Sequence, residues 1–496
     1  PAWFSVPLTF FWVIGITNAL NLLDNMDGLA AGIAAIAGAF LAWISYLAGN
    51  PVATATALTI TGAASGFLVF NFKPAKIFMG DSGSLFLGYM IAALSIVIQK
   101  DIPASQGFAV YLVSAAILAV PIFDTTLVTM MRPAAGRSVS QGGRDHTSHR
   151  LVFLGLTEQR AVLFLYGISI VSGAVGLAFY VSDTHLFYAL LIFMVVALVS
   201  LGVFLADADV YDSSPSTNVK ESRVLAKGME LINRTLGTGW KAIFAVFADL
   251  ALVVAAFMLA FYLRFESGLT DVHNEFINRA LPIVIAIKLP MFYLSGLYRS
   301  VWRYAGTSEL IRIFTATIFA SLSAYVVLGL TFGFPRVSQG VIVIDWMIVT
   351  IAVAGLRFGF RALPQYLLAQ KSTGRKVLLY GAGSGGVLAL MEIRNNSGLG
   401  LNAVGFIDDS ESNVGRIIQG LPVLSTGEHL ENACDRVGAE EVIISTFLLS
   451  DTQIEDIYAR CYEHRVKCRS LNISFDSEEG AKTYPMFVEH RVSKAS

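Results

Sequence analysis

Long apolar runs broken by short polar segments occupy most of this chain. A helix that crosses a bilayer needs about 20 apolar residues, because helical backbone satisfies its own hydrogen bonds where water is absent. The pattern predicts eleven spans, at residues 5–23, 29–48, 51–70, 85–99, 108–129, 161–182, 185–206, 242–263, 280–297, 313–332 and 341–360. Alternation puts segments 71–84, 129–160, 207–241, 298–312 and 361–376 on one side with 19 lysines and arginines, against 4 on the opposite side. Cationic loops stay inside, so the first side is expected to face the cytoplasm.

Two breaks interrupt this pattern. DADVYDSSPSTNVKESR, within 207–241, is polar without apolar period and reads as a cytoplasmic linker. After Arg361 short apolar strands alternate with helices, the signature of an α/β domain. The expected fold is a polytopic α-helical membrane protein of about eleven spans with a C-terminal cytosolic α/β, Rossmann-like domain. Its expected divisions are a membrane domain at 1–206, the linker at 207–241, a four-helix membrane module at 242–361, the α/β domain at 374–470 and a tail at 471–496.

Composition agrees: 14% of residues are charged and 55% hydrophobic, where a soluble protein carries about a quarter charged. A net charge of −1 gives no reason to expect nucleic acid as a partner. Cys434, Cys461 and Cys468 follow no zinc spacing and are expected to be reduced thiols. The chain opens on Pro1 without a signal-peptide pattern, and its start reads as a truncation.

Three polar clusters fall at the basic-side ends of the early spans. The first, in NALNLLDNMDGLAAG, is Asn18, Asn21, Asp24, Asn25 and Asp27; all but Asn25 are spaced by three and would share one helix face, with Gly28 turning the chain. In NFKPAKIFMGDSGSLFLG, Asp81 would sit in a glycine–serine loop between Lys73 and Lys76 and the next span. An acid in that setting can hold magnesium, which takes few carboxylates alongside phosphate oxygens and water. The third cluster joins Asp124 of PIFD to a loop with Arg132, Arg137, Arg144, His146, His149 and Arg150, a cationic surface suited to phosphate. Costly charges at membrane helix ends call for a polar cavity, a partner or a metal. Together they suit transfer between two phosphates, with a cation neutralising a pyrophosphate and basic groups steadying the leaving nucleotide.

NxxNxxDNxDGL, FNFKPAKIFMGDSGSLFLGY, PIFDT and RDHTSHRLVFLGLTEQRAVLFLY resemble the signature segments of the polyprenyl-phosphate N-acetylhexosamine-1-phosphate transferases over about residues 1–206. The resemblance implies a bacterial cytoplasmic-membrane enzyme whose substrates are undecaprenyl phosphate and a UDP-N-acetylhexosamine, with UMP released. By position it implies Asp81 as ligand of Mg2+ (or Mn2+), and Asn21, Asp24 and Asp27 as an acidic cleft. His146, His149 and Arg150 would contact phosphate or nucleotide, with Asn18, Lys73, Lys76, Asp124, Arg132 and Arg144 supporting substrate binding. Two departures stand out: members carry an adjacent aspartate pair in an earlier loop, which would lie before Pro1, and Ser148 stands where many have histidine.

In 242–360, Asp249 and Lys288 fall within predicted spans and are expected to pair or face the bundle. Further on, Gly381, Gly383 and Gly386 form GxGxxG between a strand ending at Tyr380 and a helix, and Asp408 and Asp409 follow a second strand, where a ribose-binding acid would sit. The ligand could be NAD, a nucleotide sugar or nothing. LRF, GLYRSVWRY, IDW, GAGSGG, VGFIDDS and GLPVLST resemble the N-terminal half of the membrane-anchored nucleotide-sugar dehydratase and epimerase family over 242–450. That family's later Tyr-x-x-x-Lys pair is absent from 470–496, so its chemistry is not expected. Two further readings are a non-catalytic scaffold of a polysaccharide assembly complex, in which a homodimer would fit, and an NAD-dependent nucleotide-sugar enzyme.

Overall fold

A computed structural model describes residues 2–101, 109–139, 142–182, 184–206, 239–265, 269–298, 306–370, 374–396, 399–446, 448–471 and 487–488. Residues 207–238 of the expected linker and most of the expected tail lie outside these residues, as does 299–304 of GLYRSVWRY. The chain divides into two compact units, Pro1–Leu367 and Leu368–Ser496.

The first unit is helical throughout. Its first part comprises α1 (Ala2–Leu23), α2 (Leu29–Leu47), α3 (Pro51–Asn71), α4 (Gly80–Val97), α5 (Ala109–Ile117), α6 (Ala119–Ala134), α7 (Thr147–Phe153), α8 (Glu158–Val181) and α9 (Thr184–Ala206). Its second part comprises α10 (Gly239–Arg264), α11 (Asp271–Leu294), α12 (Thr307–Phe332) and α13 (Gln339–Gln370). Ten of the described helices are long and apolar enough to cross a membrane. This is a membrane protein.

The expected span at 108–129 is not one straight helix. It is α5 and α6, bent by 80° at Leu118. Pro121 supplies the cause: without an N–H it cannot bond the Ile117 carbonyl one turn back. Counting that pair as one span gives eleven.

At the centre of the first part is α2, LAAGIAAIAGAFLAWISYL, whose buried residues lie on every side. Its small residues let neighbours approach closely: a Cβ at Gly32 would collide with the Tyr166 ring of α8, and one at Gly38 would lie 2.6 Å from Thr61 Oγ1 of α3. In the second part, the charges predicted inside spans are buried and paired. Arg357 Nη2 lies 2.9 Å from Asp249 Oδ2, and Lys288 pairs with Asp345. Removing one member of such a pair strands the other, so they hold α10 and α11 against α13.

The second unit is a seven-stranded sheet of order β3-β4-β2-β1-β5-β6-β7. Its strands are β1 (Arg375–Tyr380), β2 (Leu401–Ile407), β3 (Ile417–Ile418), β4 (Leu421–Ser425), β5 (Glu441–Ile444), β6 (Lys467–Leu471) and β7 (Phe487–Val488). The five from β4 to β6 are parallel, while β3 and β7 join antiparallel at the edges. Helix α14 (Ser384–Asn395) follows β1, α15 (Leu430–Val437) precedes β5, and α16 (Asp451–Glu463) leads into β6. Buried cores lie on both faces, the doubly wound, Rossmann-like arrangement. Strand order reverses beside β1, so the loops after β1 and β5 part there, where such sheets place ligands.

Candidate active site

Helix α1 ends at Leu23, and residues 24–28 form a turn before α2. The shared helix face expected for Asn21, Asp24 and Asp27 therefore does not exist as such. Asn18 and Asn21 are helical, the Asp24 amide closes the last turn on the Asn21 carbonyl at 3.1 Å, and Asp27 lies beyond it. The turn needs Gly28, whose φ of +81 is costly with a Cβ. It is held from three directions: Asn71 Oδ1 accepts from the Gly28 amide at 2.9 Å, Tyr166 of α8 donates to the Gly28 carbonyl at 2.5 Å, and Asp27 Oδ2 accepts from the Ala75 amide at 3.1 Å.

Asp81 lies not in a loop but in the first turn of α4, where a carboxylate complements the helix dipole. Asn21 Nδ2 donates to Asp81 Oδ1 at 3.1 Å and to Ser84 Oγ at 2.8 Å. Burial, and then the nearby charge of Asp81, raise the pKa of Asp24. The structure thus brings together Asn21, Asp24 and Asp81. Asn18 is exposed, and Asp27 bonds backbone instead.

The histidine segment is a compact unit of its own. Asp124 of α6 is buried, and its Oδ1 accepts from the Thr147 amide at 2.6 Å while Oδ2 meets His146 Nδ1 at 2.7 Å. An ionised carboxylate only accepts, so Nδ1 is the donor and Nε2 is left as the other ring nitrogen for a further partner. Ser148 Oγ donates to Asn25 Oδ1 at 2.7 Å. That bond crosses 123 residues of sequence and joins the histidine segment to the acidic turn. Burial, and then the charges of His146 and Arg144, lower the pKa of His149, so it favours the neutral ring.

Several expected phosphate contacts are turned to other tasks. Arg132 is buried and bonds both oxygens of Asp145, at 2.8 and 2.9 Å, and the Val139 carbonyl at 2.7 Å. Arg150 is fully buried, donating to the Asp145 carbonyl at 2.8 Å and the Leu205 carbonyl of α9 at 3.0 Å. Lys73 pairs with Glu158 at the start of α8. Arg132 and Arg150 fix the loop, then, while Lys76 and Arg144 remain exposed. Asp145 and Glu158 went unnoticed in the sequence, where only the acid amid basic residues in GGRDH hinted at an internal clamp; Asn25 stood in the first polar cluster without a partner assigned.

Among the described residues, no three His, Cys, Asp or Glu side chains gather as a metal site. The pKa of Asp24 is raised first by burial and then by the charge of Asp81, and a cation held by the two carboxylates would oppose both effects. Magnesium, content with one or two carboxylates plus phosphate oxygens, suits that donor set.

In the α/β unit, Gly381 has φ +106 and its amide bonds the Ile407 carbonyl at 2.7 Å. A Cβ on Gly386 would strike the Gly381 carbonyl, so that glycine lets α14 lie close to β1. Gly383 precedes α14 as its N-cap. Asp408, expected to meet a ribose, accepts from the Ala382 amide at 2.7 Å, the Ser410 amide at 3.1 Å and Asn413 Nδ2 at 3.0 Å. Burial opposes its charge, but these three donors prevail and hold its pKa below the usual range. Asp408 thus braces the glycine loop. The three thiols are free, and burial pushes Cys434 up to about 12.

Residues 1–99 match the glycosyl transferase family 4 model, and 293–471 match a CoA-binding domain model. Over residues 1–99 the chain is therefore similar to glycosyl transferase family 4. The chain is 41% identical over 165 residues to a probable undecaprenyl-phosphate N-acetylglucosaminyl 1-phosphate transferase of Bacillus subtilis, covering 33% of this chain and 45% of that protein. It is 36% identical over 179 residues to a decaprenyl-phosphate N-acetylglucosaminephosphotransferase of Mycobacterium tuberculosis, covering 33% and 44%. It is 51% identical over 90 residues to a phospho-N-acetylmuramoyl-pentapeptide-transferase of Lactobacillus gasseri, covering 18% and 28%. The chain thus spans less than half the length of these relatives. A UDP-D-quinovosamine 4-dehydrogenase from Vibrio fischeri aligns with 20% of this chain and 79% of its own at 23% identity and a TM-score of 0.19, an overlap too small to carry any argument. The family 4 match covers the acidic turn and Asp81, while the histidine segment lies beyond it.

Proposed function

We propose that this protein is a family 4 transferase, moving N-acetylhexosamine 1-phosphate from a UDP-sugar to undecaprenyl phosphate at the cytoplasmic face of a bacterial inner membrane. The observation that carries this reading is the Ser148–Asn25 hydrogen bond, which brings the histidine segment and the Asp24–Asp81 carboxylates to one end of the helical unit. The lipid phosphate oxygen attacks the sugar-linked phosphorus of the UDP-sugar. A new P–O bond forms, the bond to UMP breaks, and UMP leaves with the electron pair. A phosphomonoester with second pKa near about 6 is already largely ionised at neutral pH, so the nucleophile needs no obligatory base. Asp24 and Asp81 would hold Mg2+ (or Mn2+), which supplies charge neutralisation for the pyrophosphate. His146, oriented by Asp124, and the exposed Arg144 and Lys76 are suited to steady phosphate oxygens. In the α/β unit we propose a nucleotide or nucleotide-sugar ligand at the Gly381–Gly386 loop.

Membranes carrying the full-length protein, polyprenyl phosphate and a panel of UDP-sugars provide the test. Mass spectrometry is expected to find UMP and a lipid diphosphate sugar only with a UDP-N-acetylhexosamine, and chelation of divalent ions should stop both. No product from any UDP-sugar would overturn the reading and leave a scaffold role.

A pH dependence follows from Asp24. Its raised pKa means that, as pH falls, it takes up a proton before an ordinary aspartate would. The Mg2+ concentration for half-maximal rate should therefore rise on the acid side in the wild type, beginning at a higher pH than an ordinary aspartate would set. With Asp24→Asn that rise should vanish; the same slope in both proteins would place the titration elsewhere.

A further inference from the structure

The first unit contains a hollow of about 470 Å³ walled by α9, α10 and α13, with Val196, Phe204, Leu252, Gly355, Gly359 and Leu363 around it. Gly355 and Gly359 form a GxxxG pair on a membrane-spanning helix, a spacing that normally lets a second helix press close. Here a Cβ on either glycine would meet nothing within 4 Å. The glycines therefore face open space, and the buried Arg357–Asp249 pair fixes α13 to α10 within one turn of them. The hollow offers no polar handle: the hydroxyl of Ser200, the polar side chain among its lining residues, is bonded to the Val196 carbonyl at 2.5 Å.

Volume and lining decide what fits. An apolar hollow does not order water. A transmembrane helix is about 10 Å across and about 30 Å long, on the order of 2000 Å³, far more than this space holds. A flexible hydrocarbon chain fits. Position narrows the choice further, because Phe204 of the lining is next to Leu205, whose carbonyl is held by Arg150 of the histidine segment. The hollow thus begins beside the end of the unit where a lipid phosphate would react.

We propose that this hollow binds part of the prenyl tail of the lipid-phosphate acceptor, so that α10 and α13, outside the transferase helices, contribute to its affinity. The proposal rests on the transferase reading. Direct binding separates the two, with the full chain in detergent titrated with undecaprenyl phosphate or with phosphatidylglycerol and read by native mass spectrometry. Substitutions Gly355→Leu and Gly359→Leu should weaken undecaprenyl phosphate binding by at least about tenfold, equivalent to ~1.4 kcal/mol. Gly355→Ala with Gly359→Ala, for which there is room, should give a smaller loss from a protein of unchanged melting temperature. Unchanged affinity in the leucine variants would overturn the proposal, as would phosphatidylglycerol as the lipid they displace. Loss of prenyl binding from a chain that shows no transfer would uphold it and overturn the transferase reading alone.

Discussion

Asp81→Ala is expected to reduce transfer by at least about 10²–10³-fold, the usual cost of removing one charged group aimed at transition-state charge, while the protein stays folded. Asp81 is exposed, and the one side-chain hydrogen bond shown for it comes from Asn21 at 3.1 Å. Losing such an exposed bond costs about 0.5–1.5 kcal/mol of stability. Its functional weight comes from its place next to Asp24, at the start of α4. Asp81→Asn keeps the shape and removes the charge, so it should be nearly as inactive as alanine, and added Mg2+ should recover little. Initial rates of UMP release at saturating UDP-sugar and a melting curve on the same sample decide it. Turnover within about twofold of wild type, ~0.4 kcal/mol at RT ≈ 0.59, would remove Asp81 from the chemistry.

Asp145→Ala should be the most destabilising change in the histidine segment. Both carboxylate oxygens of Asp145 are taken by Arg132, at 2.8 and 2.9 Å, and both side chains are buried. Removing the acid leaves a buried guanidinium without its counter-charge, a loss of about 3–5 kcal/mol, against a typical total stability of about 5–15 kcal/mol. A large fall in melting temperature is expected, with transfer lost because His146 and Ser148 sit on the same short segment. The double substitution Arg132→Met, Asp145→Leu should recover much of the stability, since apolar replacement of a buried pair is often tolerated. If Asp145→Ala melted like wild type yet lost activity, Arg132 would be a substrate contact after all.

Those two residues show how differently the site was legible. Asp81 stood out because a carboxylate between glycine and serine at the mouth of an apolar run has few structural uses. Asp145 did not, because its partner Arg132 lies thirteen positions away across a turn, and nothing local distinguishes a clamped arginine from one that grips phosphate. Arg150 is a stronger case, reading as the end of a cationic loop and proving a buried brace to Leu205, 55 residues on. Asp408 resembled a ribose acid by position and instead satisfies three donors around the glycine loop.

Sequence alone determined which stretches lie in lipid, that Asp249 and Lys288 would need partners, and that strand, glycine loop and helix open an α/β unit. These follow from local causes: apolar length, the cost of an unpaired charge in hydrocarbon, and turn chemistry. Only the tertiary structure decided that the fifth apolar run breaks at Leu118, that Arg132 and Arg150 face inward, and that Asn25 meets Ser148 across 123 residues. A polar side chain states in sequence what it can bond. Which group is near enough to take that bond depends on how distant helices pack.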